Sequence, residues 1–509
     1  MAMTNAEADE TKQQDRVRMK AVWEGERFEE ILNTPTWVVS DPGPLRGPVL
    51  AFTIRRTDDH QIELLTISET PFPTTPQQVG PMIAGPRAGT VGPAMDVVEL
   101  SGPTGTVILG GVVPFGLSGT SNFAKAITRY EERSLVHTIV QSPNATDVVG
   151  FQFEWINNAE LHGPLPHSFN VKDEEASVLS FPGSQKSIEI RSSSSGGNYG
   201  HCYRITIEDR EIIFGEIPGA SDRSKRGQAY ILYQGQAPAE FRRKFRECLS
   251  YAFGRPLIYL GYSLLTTDSV RCGFEVVAGF NADHTRYAYV GLPPAPLFEG
   301  RYIMVNERVT TRLLKGLFTH YDALNFLHVS WLYWYGLCSA LHSQAVQVGA
   351  AIEALQAAHA DAYPNAYNTK LMSRENFLFL RTGVEALVAQ MSVDDSVKAE
   401  LGKKVANLNS PSQRVINERF FEALKLPMGQ EEIQAWNRRN DAAHGTGTED
   451  YRGLIKDIKL LMNIFARIVL RISAGSDCYV DYFTPGFPVR KLEEPVSSTN
   501  PHLGFTQPC

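Results

Sequence analysis

The sequence predicts an α+β protein: a β-rich N-terminal part followed by an all-α C-terminal part. Three observations carry that prediction. From about 36 to 235 the apolar residues come in short β-branched and aromatic runs separated by turn-rich pieces. After about 318 they recur at helical spacing, in one stripe after another. The chain has 509 residues, more than one hydrophobic core accommodates, so two domains are expected. The boundaries are placed at 1–17 (a disordered polar tail), 18–318 (a β-rich recognition domain), 319–475 (a helical bundle) and 476–509 (an irregular, proline-rich tail).

Taken in order, MAMTNAEADETKQQDR is polar and charged, unlike a secretory leader. A short helix is expected near 18–32. PVLAFTIRR, HQIELLTIS, TVILGGVV, VVGFQFEW, KSIEIRS, YRITIED and QAYILYQG then read as strands, with GPMIAGPRAGTVGP and RSSSSGGNYG as loops. Strands this short and numerous predict a mostly antiparallel sandwich or barrel-like sheet. APAEFRRKFRECLSYAFG interrupts them with a helix: Phe241, Phe245, Cys248, Leu249 and Phe253 share one side, Gly254 caps the end and Pro256 stops it. Strand texture returns over 257–300.

The helical part begins with Leu341, Ala345, Val348, Ile352 and Leu355 in one stripe. Phe377, Leu380, Val384 and Leu387 form a second; Val397, Leu401, Val405 and Leu408 form a third. Ser410 followed by Pro411 predicts a helix start, with Val415, Ile416, Phe420 and Leu424 inside. In MGQEEIQAWNRRNDAAH, Ile433 and Trp436 are expected to face inward. Thr448 is expected to cap a last helix that buries Tyr451, Leu454, Ile458, Leu461, Phe465, Ile468 and Ile472.

Composition removes several function classes. Net charge is −7, so nucleic acid can be met only by a local basic patch. The six cysteines are scattered without CxxC or zinc spacing, which predicts reduced thiols in a cytoplasmic protein. No Asp, Glu, Lys or Arg occurs between Asp322 and Glu353, yet His328, His342, Gln344 and Gln347 lie there, so a buried helix is expected rather than a membrane span. There is no P-loop, GxGxxG, GxSxG or HExxH.

One stretch, RRNDAAHGTG at 438–447, carries candidate chemistry. Arg439 and His444 are five apart, about 140° around an ideal helix. Gly445 and Gly447 end that helix, and a loosened last turn brings the two together. Asn440, four before His444, shares its face. The chain contains its own control: Arg55 and His60, in RRTDDH, have the same spacing but fall in a strand–turn–strand region, where they read as a hairpin tip. At the helix end, arginine can hold phosphate charge bidentately and histidine can move protons near neutrality. That pairing suits metal-independent RNA cleavage by the neighbouring 2′-OH. One histidine moves one proton at a time, so two motifs facing across a homodimer would complete the reaction. The plain alternative is a solvated helix end with His444 as a capping residue.

With its arginine, polar residue, three variable residues and histidine on the penultimate helix of a C-terminal α-bundle, RNDAAH resembles the signature of the HEPN ribonucleases. The helix carrying GAAIEAL (349–355) looks like a HEPN opening helix. A β-rich half ending in FRECLSYAFGRPL before such a bundle resembles the ApeA-type anti-phage proteins. The resemblance implies an endoribonuclease that cleaves host RNA, commonly tRNA, in abortive infection, without metal or nucleotide cofactor. It implies catalytic roles for Arg439, Asn440 and His444, and leaves the N-terminal half to bind a phage-derived activator. The alternative is a non-catalytic HEPN-type protein that dimerises and holds nucleotide or RNA.

Other residues have plainer readings. Glu353 reads as an ordinary helix-end carboxylate, with orientation of Arg439 or His444 as its other possible role. Arg438, Lys403, Lys404 and Arg414 are candidate RNA contacts, though such cations usually line solvated faces. FRRKFR (241–246) reads as phenylalanines in a core with cations in water, and RSKR (223–226) as an exposed loop. Trp331, Tyr333, Trp334 and Tyr335 read as packing residues.

Overall fold

A computed structural model describes residues 16–18, 27–46, 48–71, 96–122, 125, 127–159, 165–166, 171–173, 176–180, 187–191, 202–216, 228–268, 270–279, 292–299, 304–443 and 450–496. The α+β class expected from the sequence is the class found, with antiparallel sheets first and helices after. The chain divides into two compact units: Met1–Arg243 with Arg255–Gly291 and Phe298–Glu307, and Lys244–Gly254 with Leu292–Leu297 and Arg308–Cys509.

In the first unit, the strands Cys202–Ile207, Arg210–Glu216, Ala229–Gln234, Val149–Asn157, Ile258–Thr266, Arg271–Val277, Thr138–Gln141, Gly105–Gly110, Val97–Gly102 and Val38–Asp41 lie side by side, in that order, in a ten-stranded sheet. A four-stranded sheet takes Val49–Arg56, Ile62–Pro71, Ile127–Val136 and Val113–Asn122. The two share a core. Ile54, Ile62 and Leu64 of the small sheet meet Val98, Leu100, Val107, Leu109 and Val276 of the large one, under Phe28 and Leu32 of helix α1 (Arg27–Leu32). Alternation of inward β-branched and outward polar residues builds this sandwich. Of the tail expected at 1–17, residues 16 and 17 are described, and they lie in a strand paired parallel to Ser187–Arg191.

Helix α2 (Ala239–Phe253) follows the expected stripe, and Gly254 ends it at φ +68°. Its cations are not all in water, as the sequence suggested. Arg242 is buried on Glu154 at 2.8 Å, and Lys244 pairs with Asp322 at 2.9 Å. The buried carboxylate lies on a strand remote in sequence, where no local pattern announces it.

The helical unit contains α3 (Glu307–His320), α4 (Phe326–Cys338), α5 (Leu341–Ala362), α6 (Arg374–Gln390), α7 (Asp395–Ala406), α8 (Gln413–Ala423), α9 (Gln430–Ala443) and α10 (Tyr451–Ile472). α10 is its axis, buried at Leu454, Ile458, Leu461, Phe465 and Ile468 among others. Tyr333 of α4 stacks on Phe465 at 4.5 Å, and Tyr251 meets the same ring edge-on at 5.8 Å. Tyr333 and Trp334 are buried as expected, whereas Trp331 and Tyr335 are exposed. No helix among the described residues is long and apolar enough to cross a membrane.

Several boundaries differ from expectation. The helical unit already includes α3 and the second half of α2, ahead of residue 319. Ser410 does not start a helix: its N–H donates to Asn407 O at 2.9 Å in a turn, and α8 starts after Ser412. The side chain of the adjacent Asn409 bridges Met372, which holds that turn apart from the helix. α10 is capped by Asp450, whose carboxylate accepts from Gly453 N at 2.9 Å; Thr448 lies outside the described residues. Tyr451 is exposed rather than buried. Helices α6 and α7 contact each other, but their stripes stay largely at the surface: α6 has no buried residue, and Leu380, Leu387, Val397 and Leu408 are exposed. The described part of the tail, residues 476–496, is built into the fold rather than irregular. Cys478–Val480 pairs with Val489–Lys491, and buried Asp481 gathers Arg490 (2.7 Å), Asn463 (2.8 Å) and Thr484 (2.6 Å). Polar networks of this kind leave no hydrophobic periodicity to read. Cys202, Cys248, Cys272 and Cys338 are not in disulfides, but Cys478 is disulfide-bonded, contrary to the expectation of reduced thiols throughout. Cysteine spacing alone does not say which thiols a fold brings together.

Candidate active site on helix α9

Helix α9 turns a charged face inward. Glu432, Ala435 and Arg439, at i, i+3 and i+7, are the buried residues among those whose side chains are described, while Ile433 is 40% exposed and Trp436 half-buried. This corrects the expectation that Ile433 and Trp436 face the core. The reason is chemical: both charged residues find counter-ions on neighbouring helices, so their burial is compensated.

Arg439 is 8% exposed. Its Nη2 donates to Glu353 Oε1 on α5 in an ion pair, and its guanidinium lies 3.5 Å from the centre of the Trp436 ring. Gly349, one turn before Glu353, makes room. A Cβ there would sit 2.8 Å from Arg439 Cδ and 2.9 Å from Nη1. Arg439 Nε has no hydrogen-bond partner among the described residues. Glu353, read from sequence as an ordinary helix-end carboxylate, is therefore the residue that orients Arg439.

Arg438 points the other way. Its Nε donates to Asp457 Oδ2 of α10 at 2.7 Å, and its Nη2 to the second carboxylate oxygen. The side chain expected on RNA is thus clamped between α9 and α10. Asn440 lies on α9, but its side chain, and His444 altogether, fall outside the described residues.

A cleft of about 910 Å³ opens between α8 and α9, and Arg439 lines it. Phe421, Leu426, Ile433 and Trp436 supply apolar surface, and Asn417 a polar wall. Arg414 also lines it, engaged with Glu418 at 2.9 Å. Lys403 pairs with Glu400 at 3.2 Å on α7, and Lys404 is exposed on the same helix; neither lines the cleft. Of the four cations expected on RNA, Arg438, Lys403, Lys404 and Arg414, only Arg414 lines the cleft, and the sequence missed the cleft itself, Gly349 and Asp457. A glycine inside a helical stripe was the available signal for a close approach.

The second copy of the spacing is accounted for separately. Arg55 pairs with Glu63 across the hairpin at 2.6 Å, while His60, in the turn at φ +63°, bonds Asn157 at 2.9 Å. The two side chains serve different neighbours.

Behind the cleft, on α5, His359 is buried among Tyr363, Tyr367 and Phe420. Burial holds its pKa below the ordinary 6.5 and favours the neutral ring. Among the described residues no group of three or more His, Cys, Asp and Glu converges as metal ligands would. No family model matches the chain, and no curated protein or solved structure is significantly similar to it.

Proposed function

We propose that the protein is a HEPN-type endoribonuclease that cleaves host RNA, tRNA in particular, in abortive anti-phage defence, as a cytoplasmic homodimer. The observation that supports this most is the placement of Arg439. It is an inward-facing, counter-ion-oriented arginine at the edge of an open cleft, five residues before His444 and on the helix that leads to it.

In this reading the RNA 2′-oxygen attacks the adjacent phosphorus, forming the O2′–P bond, and the P–O5′ bond breaks. The 2′-OH proton goes to a base and the 5′-oxygen receives one from an acid. His444 of each subunit fills one of these roles. Arg439 stabilises the charge growing on the phosphate oxygens. Glu353 positions the guanidinium so that little reorganisation is needed, and Asn440 positions RNA or the histidine. The β-rich unit receives the activating signal, a phage-derived component.

The test is expression of wild type beside His444→Ala, with both shown to be folded, under phage challenge. The expected result is tRNA fragmentation and growth arrest by wild type alone. A folded His444→Ala protein that cuts and protects like wild type sinks the assignment. Binding of RNA without any cleavage favours the non-catalytic alternative.

A further inference from the structure

The cleft beside Arg439 has the chemistry of a single-nucleotide pocket, and we infer that it seats one unstacked nucleobase of the RNA substrate, next to the phosphate held by Arg439. This inference deepens the ribonuclease reading and rests on it for the identity of the ligand.

Three features converge. First, at about 910 Å³ the cleft falls within the roughly 300–1,000 Å³ of sites that hold small ligands. Its surface is mainly apolar and aromatic, through Phe421, Leu426, Ile433 and Trp436, which is what a flat base needs once it has left its stack.

Second, the wall carries an amide array. Gln413 Nε2 donates to Gln356 Oε1 at 2.8 Å and to Asn417 Oδ1 at 3.2 Å. That fixes Asn417, 8% exposed, with its Nδ2 donor unused among the described residues, and leaves Gln413 Oε1 as a neighbouring acceptor. A fixed amide donor with an acceptor on the side chain bonded to it is the kind of pair that reads a base edge.

Third, Arg439 closes one end with Nε unpartnered among the described residues, while its charge is held by Glu353. A phosphate at that end would share a guanidinium whose counter-ion, Glu353, is itself 43% exposed.

The charges around the rim argue for one nucleotide rather than a long strand. Arg414 and Lys425 are matched by Glu418 and Glu422, and Arg414 is already paired. A track for many phosphates would carry a net positive row. Selectivity therefore lies in the base held in the pocket, and the residues that set it are Asn417 and Gln413.

The experiment uses the full-length protein and 2′-O-methyl hexanucleotides of A, U, C or G, which bind but lack the attacking hydroxyl. Ile433, 40% exposed, can be enlarged without touching the core. Ile433→Trp is expected to raise Kd at least tenfold with the melting temperature unchanged. Asn417→Asp, which turns the donor into an acceptor, is expected to change the preferred base by about tenfold. Binding by Ile433→Trp equal to wild type, or no binding of any hexanucleotide by wild type, overturns the pocket. Cleavage of unmodified RNA by the same proteins separates the two readings. Cutting that persists with unchanged KM and base preference in both variants removes the pocket and spares the ribonuclease. Base-selective binding without cutting removes the ribonuclease and spares the pocket.

Discussion

Helix α9 buries two charged residues seven positions apart, and the two are held in opposite ways. Glu432 sits in a closed network. Arg467 of α10 donates to both its oxygens (2.8 and 3.0 Å), and Gly429 N and Val496 N donate as well. Arg467 spends its remaining donors on the Leu492 and Pro427 carbonyls, at 3.0 and 2.7 Å. Burial pushes the Glu432 carboxyl up, and Arg467 pulls it back. Arg439 sits in an open arrangement. Its counter-ion Glu353 is 43% exposed, its Nε is unpartnered among the described residues, and a cleft lies beside it. A closed ion pair tethers helices; an open one keeps bonding capacity for something that arrives.

The comparison can be broken first at the closed site. Arg467→Met leaves Glu432 buried without its partner, at an expected loss of about 3–5 kcal/mol in urea unfolding. Pairing it with Glu432→Leu should recover much of that loss. If Arg467→Met alone costs under 1 kcal/mol, the network is not the tether described.

Gly349→Ala sharpens the open site. The added methyl meets the Arg439 side chain, whose far end can move, so the guanidinium leaves its place rather than the helices parting. RNA cleavage is expected to fall about tenfold. Stability should change by no more than about 1 kcal/mol, since alanine favours the helix. Unaltered cleavage would show that the position of Arg439 is unimportant.

The smallest effect concerns pH. His359 has a folded pKa below its unfolded value of 6.5. Above 6.5 both states are neutral and the stability is fully present. As pH falls through 6.5 the unfolded chain takes the proton first, and stability is lost by at most about 1.4 kcal/mol per pH unit. His359→Gln should flatten the melting temperature between pH 7 and 5 relative to wild type. An equal slope in both proteins assigns the dependence to other groups.

What the sequence disclosed follows from what periodicity measures. α5 and α10 bury apolar residues every three or four positions, so their stripes were legible. The same reasoning put Ile433 and Trp436 inward on α9, because hydrophobicity assigns Glu432 and Arg439 to water. Their counter-ions, Arg467 and Glu353, lie 35 and 86 residues away, beyond any local window. The structure of residues 476–496 was missed for the same reason, since Asp481 organises that segment through Arg490, Thr484 and Asn463 rather than through an apolar stripe. The motif itself was legible as letters. The fold adds that Arg439 and Arg438, adjacent in sequence, face α5 and α10 respectively, so only the former reaches the cleft.

The most direct measurement is cleavage of host tRNA in cells expressing Arg439→Gln beside wild type under phage challenge, with the melting temperature of each purified protein. The account requires that cleavage fall at least 100-fold while the melting temperature stays within a few degrees, the loss of a charge-stabilising donor at an open site. Intact cleavage by Arg439→Gln, or a variant that fails only because it unfolds as Arg467→Met does, would contradict it.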